Sequence, residues 1–178
     1  MSPADSTATA MRSHPSNSFS GVLWIGLIAG TLDITDNLIF NQLRGVTPAM
    51  VFQYIASGLI GVKAFSGGPA SVALGVALHY VIALTWTGLF YWTSRRVSVL
   101  RRRPVASGLI YGGFVYLFMN FVVLPLSRVP PRRVPMTIAA RINGILAVVL
   151  FIGLTISLLV RWTDARQASG PRSGIPAR

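Results

Sequence analysis

Three stretches of this chain, Ala70 to Thr93, Pro104 to Leu126 and Ile142 to Val160, contain no Asp, Glu, Lys or Arg. A helix rises about 1.5 Å per residue, so each stretch is long enough to cross the roughly 30 Å hydrocarbon layer of a bilayer. A fourth stretch, Phe19 to Phe40, is as long but carries Asp33 and Asp36. Inside hydrocarbon every backbone N–H and C=O must be satisfied by the fold itself, which leaves helices or a closed barrel. The stretches lack the period-two alternation of barrel strands. The expected fold is therefore all-α: a polytopic transmembrane helical bundle of four spans, with a short second helix that is either half-inserted or a fifth span.

That second helix is the ambiguous element. Thr47 is an N-cap candidate, Pro48 suits a first helical turn, and Gly67, Gly68 and Pro69 stop the helix, giving about 18 helical residues from Pro48 to Phe65. It also carries Gln53, Tyr54, Ser57 and Lys63, and Gln53 and Lys63 are costly in lipid, which favours four spans over five. With 178 residues there is no room for a separate soluble domain. The expected organisation is a disordered polar tail over residues 1–18, the bundle over 19–162, and a disordered basic tail over 163–178. The first apolar stretch exceeds signal-peptide length and ends without a small-x-small site, so an uncleaved first span is expected.

Sixteen basic residues against four acidic ones give a net charge of +12, which in a soluble chain would suggest nucleic acid. Here the arginines sit between the apolar stretches, so membrane topology and anionic lipid account for them and no nucleic-acid partner is expected. Arg95 to Arg103 holds five arginines, and Arg161, Arg166, Arg172 and Arg178 follow the last stretch. Both segments are expected to be cytoplasmic, and Trp92 and Trp162 beside them to form an interfacial aromatic belt. The N-terminus stays open on charge alone, because the four-span and five-span schemes place equal numbers of basic residues inside. Arg128, Arg132, Arg133 and Arg141 fall on the outer side in both schemes, against the rule.

The chain has no cysteine and only two histidines, His14 and His79, so no thiolate or zinc site and no cofactor are expected. No nucleophile elbow or zinc-protease motif occurs, and glutamate is absent, so no catalytic role is assigned. Intramembrane polar residues remain. Gly26, Gly30, Asp33 and Asn37 recur on one helix face; Gly75 and His79 are one turn apart; Gly113, Tyr116 and Asn120 share a face. Asp33, Asn37, His79, Tyr116 and Asn120 form the candidate intramembrane polar site. One reading makes these groups interhelical hydrogen-bonding glue; the other gathers Asp33 and His79 into a proton relay or small-solute path. Gly26-x-x-x-Gly30 and Gly108-x-x-x-Gly112 predict close packing, within the chain or between copies of a homo-oligomer.

The strings Gly30-Thr-Leu-Asp33, Gln53-Tyr-Ile-Ala-Ser-Gly58, Ala64-Phe-Ser-Gly-Gly68, Ala73-Leu-Gly-Val-Ala-Leu-His79, Arg103-Pro-Val-Ala-Ser-Gly108 and Met119-Asn-Phe-Val-Val-Leu-Pro125 resemble a family of small bacterial inner-membrane proteins of unknown function. The resemblance implies a bacterial cytoplasmic membrane and places Asp33, His79 and Asn120 inside recurring motifs; it brings no activity. The leading expectation is an integral membrane protein whose polar seams are mainly structural. The alternative is a proton-linked or small-solute transporter or channel subunit that uses Asp33 and His79. Single cysteines at Ser98 and Ser169 in this cysteine-free chain are expected to resist a membrane-impermeant thiol reagent in intact cells; ready labelling of either reverses the orientation.

Overall fold

The computed structural model describes residues 16–131 and 136–168, and among these there is no strand. Helix α1 (Ser16–Gln42) leads through a tight turn into α2 (Pro48–Ile60). In that turn Gly45 takes φ 80° and Val46 N–H returns to the Asn41 carbonyl at 3.0 Å. Thr47 caps α2 by accepting from the Met50 N–H at 3.3 Å, with Pro48 at the first position, where a missing N–H costs nothing. Helix α2 stops sooner than its composition suggests. Gly61 adopts φ 67°, a left-handed region that side chains resist, and a 3-10 turn over Gly61–Ser66 follows.

Helix α3 (Gly68–Arg96) and a short α4 (Ser98–Arg102) come next, then α5 (Pro104–Leu126), which contains a π-helical turn at Met119–Val123. The last helix, α6, comprises Ile138–Ala147, a π-helical Val148–Leu154 and Thr155–Ala168, with Thr137 accepting from the Ala140 N–H as its cap. Five segments are long and apolar enough to cross a membrane; α2 with its 3-10 turn, at 19 residues, is among them. This is a multi-pass membrane protein, and its outward apolar side chains, such as Ile110 and Phe121, are about three-quarters exposed because lipid is their solvent.

Glycine sets which helices touch. Gly26 packs on Leu84 and Thr87, Gly30 on Tyr80 and Ala83, and Gly88 on Val22, a register that runs α1 and α3 antiparallel. On the other side Gly108 meets Gly153 and Leu154, Gly112 meets Val148 and Val149, and Ser157 Oγ donates to the Pro104 carbonyl at 2.7 Å, so α5 and α6 are antiparallel too. Both GxxxG pairs thus serve packing within the chain.

One end of the bundle is the basic end. Arg95 and Arg101 reach Asp164 at 2.8 and 3.7 Å, and Arg161 donates to the Arg102 carbonyl. These bonds bring the arginine loop and the end of α6 to one side, as the charge pattern requires. They also keep α6 helical to Ala168, beyond the expected boundary at residue 162. Trp92 and Trp162 are exposed at this end, under the guanidinium groups of Arg96 and Arg166. The expected tails lie outside the described residues over 1–15 and 169–178, as do Arg132 and Arg133.

At the opposite end Asn143 Nδ2 donates to Asp36 at 2.9 Å, and the Arg128 N–H donates to the Gly58 carbonyl at 2.9 Å. Because α1 and α3 are antiparallel, Gln42 and Gly68 both lie at this end. Everything between them, all of α2 included, therefore starts and finishes there. Helix α2 with its 3-10 turn is long enough for a crossing, but its connectivity starts and ends it at one end of the bundle, the arrangement expected of a half-inserted helix. It lies across the bundle with the Phe52 carbonyl against Gly75 and the Gly58 carbonyl against Arg128. The buried core, Ile25, Ala29, Trp86, Phe90, Val115, Ile152, Ile156 and Val160, sits between α2 and the basic end.

Cysteines at Val46 and Ser66 are expected to show the same sidedness toward an impermeant reagent; opposite sidedness removes the half-inserted arrangement. A Cβ at Gly112 would overlap the Val149 backbone, whereas one at Gly113 meets nothing within 4 Å. Gly112→Ala should therefore lower unfolding stability in detergent by about 1 to 3 kcal/mol. Gly113→Ala should leave it unchanged or raise it by up to about 1 kcal/mol.

Candidate functional site

Laying α2 across one end roofs a space that the four long helices leave open. A cavity of about 250 Å³ runs from Tyr54, Ile55 and Gly58 of α2 down to Trp86 of α3 and Ile152 of α6. Asp33 and Asn37 of α1 and His79 of α3 are in its wall, with Met119 and Val115 of α5 opposite. Its surface is mainly apolar, and no lysine or arginine among the described residues lines it. Below Trp86 and Ile152 the bundle is closed, because Phe90, Ile156 and Val160 are almost fully buried there. The Tyr111 hydroxyl donates to the Trp86 carbonyl at 2.6 Å, and Trp86 packs edge-on against Tyr111, Phe114 and Phe118. Helix α5 thereby fixes the floor.

A second, larger cavity of about 630 Å³ lies toward the α2 end. Asn41 and Arg44 of α1, Tyr116 and Asn120 of α5, and Thr137 and Asn143 of α6 line it. The two cavities share Asn37, Tyr54 and Val148 as a common wall. The five candidate residues are thus divided. Asp33 and His79 belong to the inner cavity, Tyr116 and Asn120 to the outer one, and Asn37 to both.

Hydrogen bonding divides them a second time. His79 Nε2–H donates to the Gly30 carbonyl of α1 at 2.8 Å, a contact that glycine permits by letting α3 approach. Nearby, Thr31 Oγ1 and the Tyr80 hydroxyl are 3.0 Å apart. Asn120 Nδ2 donates to the Tyr116 carbonyl one turn back, and Asn41 Nδ2 donates to both oxygens of Asn37. These groups are satisfied by the fold, as interhelical or local glue. Asp33 differs: among the described residues its carboxylate has no hydrogen-bond partner, while Asp36, one turn further on, is held by Asn143. Asp33 and His79 share a wall without bonding each other, so the structure contains no direct Asp33–His79 relay.

Tyr54 stands out in the sequence only as one of the polar residues of α2 and not as a site residue; its place in both cavity walls follows from the oblique path of α2. Among the described residues no three metal-ligating side chains come together. In comparisons with protein-family models, curated proteins and solved structures, nothing matches this chain.

Proposed function

We propose that this protein is a small-solute carrier of the bacterial cytoplasmic membrane, proton-linked through Asp33, with most of its other polar seams structural. The observation that carries the reading is the carboxylate of Asp33, without a hydrogen-bond partner among the described residues, in the wall of a cavity built by every long helical segment. A carboxylate inside a span costs several kcal/mol, and packing glue would be expected to satisfy it; a ligand or proton site leaves it accessible. The cavity is roofed by α2 and floored by a dry apolar layer, a geometry that fits a carrier with one end closed better than a continuous channel. His79 is a positioning residue in this scheme: its bond to Gly30 sets the spacing of α1 and α3 beside Asp33.

The same reading orients the protein with its basic end in the cytoplasm. Arg95, Arg96, Arg101, Arg102, Arg103, Arg161 and Arg166 are gathered there around a single carboxylate, Asp164. Such an excess suits the cytoplasmic side and the headgroups of anionic lipids.

Purified protein in liposomes loaded with a pH-sensitive dye tests the carrier. Under an imposed potential, the wild type should move protons at least several-fold faster than empty liposomes, and Asp33→Asn should fall to the empty-liposome rate. Equal flux in the two proteins removes Asp33 from the pathway. Absence of flux from a folded wild-type preparation counts against proton linkage.

A further inference from the structure

We propose that the inner cavity binds a small organic monocation, an amine or quaternary ammonium with a compact apolar body, whose charge is held by Asp33. This rests on the reading of the cavity as a solute site and names the class of solute. Three features of the wall select the class. Among the described residues its only carboxylate is Asp33, which has no hydrogen-bond partner there, and no described lysine or arginine faces it. An anion there would meet like charge, and a neutral solute would displace water from the half-buried carboxylate without supplying a counter-charge. His79 has its Nε2–H committed to the Gly30 carbonyl, and at pH 8, above the ordinary imidazole range, it adds no competing cation.

The rest of the wall is apolar and aromatic. Trp86, Ile82, Val115 and Met119 surround the space beneath Asp33. An indole attracts a desolvated cation through its π face, and a thioether adapts to irregular apolar bodies. A strongly hydrated inorganic cation would find too few oxygen ligands here, because sodium or calcium needs a shell of them. An organic cation needs only one counter-charge and apolar contact.

Size sets the upper limit. At about 250 Å³ the cavity is smaller than sites for drug-sized ligands, which begin near 300 Å³, and larger than the roughly 150 Å³ that holds a benzene ring. One ring, or an equivalent cluster of carbons, plus a charged head fills it. Arg44 lines the outer cavity beyond the end of α1, eleven residues from Asp33, which at helical rise is about 16 Å and beyond the screening length at physiological salt.

Equilibrium binding to the purified full-length protein in detergent at pH 8 tests the inference, with three probes of similar size: benzyltrimethylammonium, neutral benzyl alcohol and anionic benzoate. The expected result is saturable binding of the cation alone, weakened at least tenfold in Asp33→Asn. Asp36→Asn should keep wild-type affinity, since that carboxylate lines neither cavity and an amide oxygen can still accept from Asn143. Benzyl alcohol or benzoate binding as tightly as the cation overturns the charge selectivity and leaves a solute cavity in place. Equal loss in Asp33→Asn and Asp36→Asn overturns the role of Asp33. Failure of all three probes on folded wild type overturns the cavity as a solute site altogether. The three-probe comparison on wild type stands even if Asp33→Asn does not fold.

Discussion

Contact between helix backbones at glycine is the constraint on which the rest of this molecule depends. Lipid is as apolar as the side chains it surrounds, so helices gain little from hydrophobic burial and must find their energy in van der Waals contact and interhelical bonds. Gly108, Gly112 and Gly153 bring α5 and α6 together; Gly26 and Gly30 do the same for α1 and α3; Gly75 admits the Phe52 carbonyl. From the second of these contacts follows the His79 bond to the Gly30 carbonyl. The cavity lies between the two tight pairs, where no glycine seam draws the helices further in.

Most intramembrane polar side chains are absorbed by this framework. Thr35, Thr85, Thr87 and Thr93 each donate to the carbonyl one turn back, as Ser57 and Ser94 do three residues back. Tyr111 and Ser157 bond across helices. Such bonds add modest stability, about 0.6 to 2 kcal/mol for the interhelical ones, and their effect is to leave few polar groups over. Against that background the carboxylate of Asp33 is distinguished by having no hydrogen-bond partner among the described residues.

The sequence made the helices legible because charge-free runs of about 20 residues admit few other folds. The glycine seams were legible too, since four-residue spacing puts small residues on one face. The path of α2 was not settled by sequence. Its length fits a crossing, and what forbids one is the antiparallel register of α1 and α3, a relation between residues some fifty positions apart. Gly61 was equally silent: a glycine in an apolar helix reads as packing, and only its φ of 67° shows that it ends α2. The candidate site was half legible. Polar residues in apolar runs flag themselves, so Asp33, Asn37 and His79 were visible, but their division between two cavities depends on where α2 crosses. Tyr54 was hidden by the same fact.

The closed floor has a mechanical consequence for a carrier. Between Asp33 and the basic end stand Trp86, Phe90, Ile152 and Ile156, and the buried hydroxyls among them, Thr87 and Ser157, are already bonded to helix carbonyls. Passage requires α5 or α6 to move relative to α1 and α3. Both carry π-helical turns, Met119–Val123 beside the cavity and Val148–Leu154 along its floor. A π turn shifts the backbone hydrogen-bond register by one residue and leaves a local weakness in an otherwise stiff rod. Gly153, inside the second of these turns, packs directly on Gly108 and Gly112 of α5, a contact without side-chain interlocking. For the proposed carrier, movement at that seam would have to break the Ser157 bond to the Pro104 carbonyl, and movement of α1 on α3 the His79 bond to the Gly30 carbonyl. The first bond lies toward the basic end, below the floor, and the second beside Asp33, so opening the floor need not disturb the wall that holds the carboxylate.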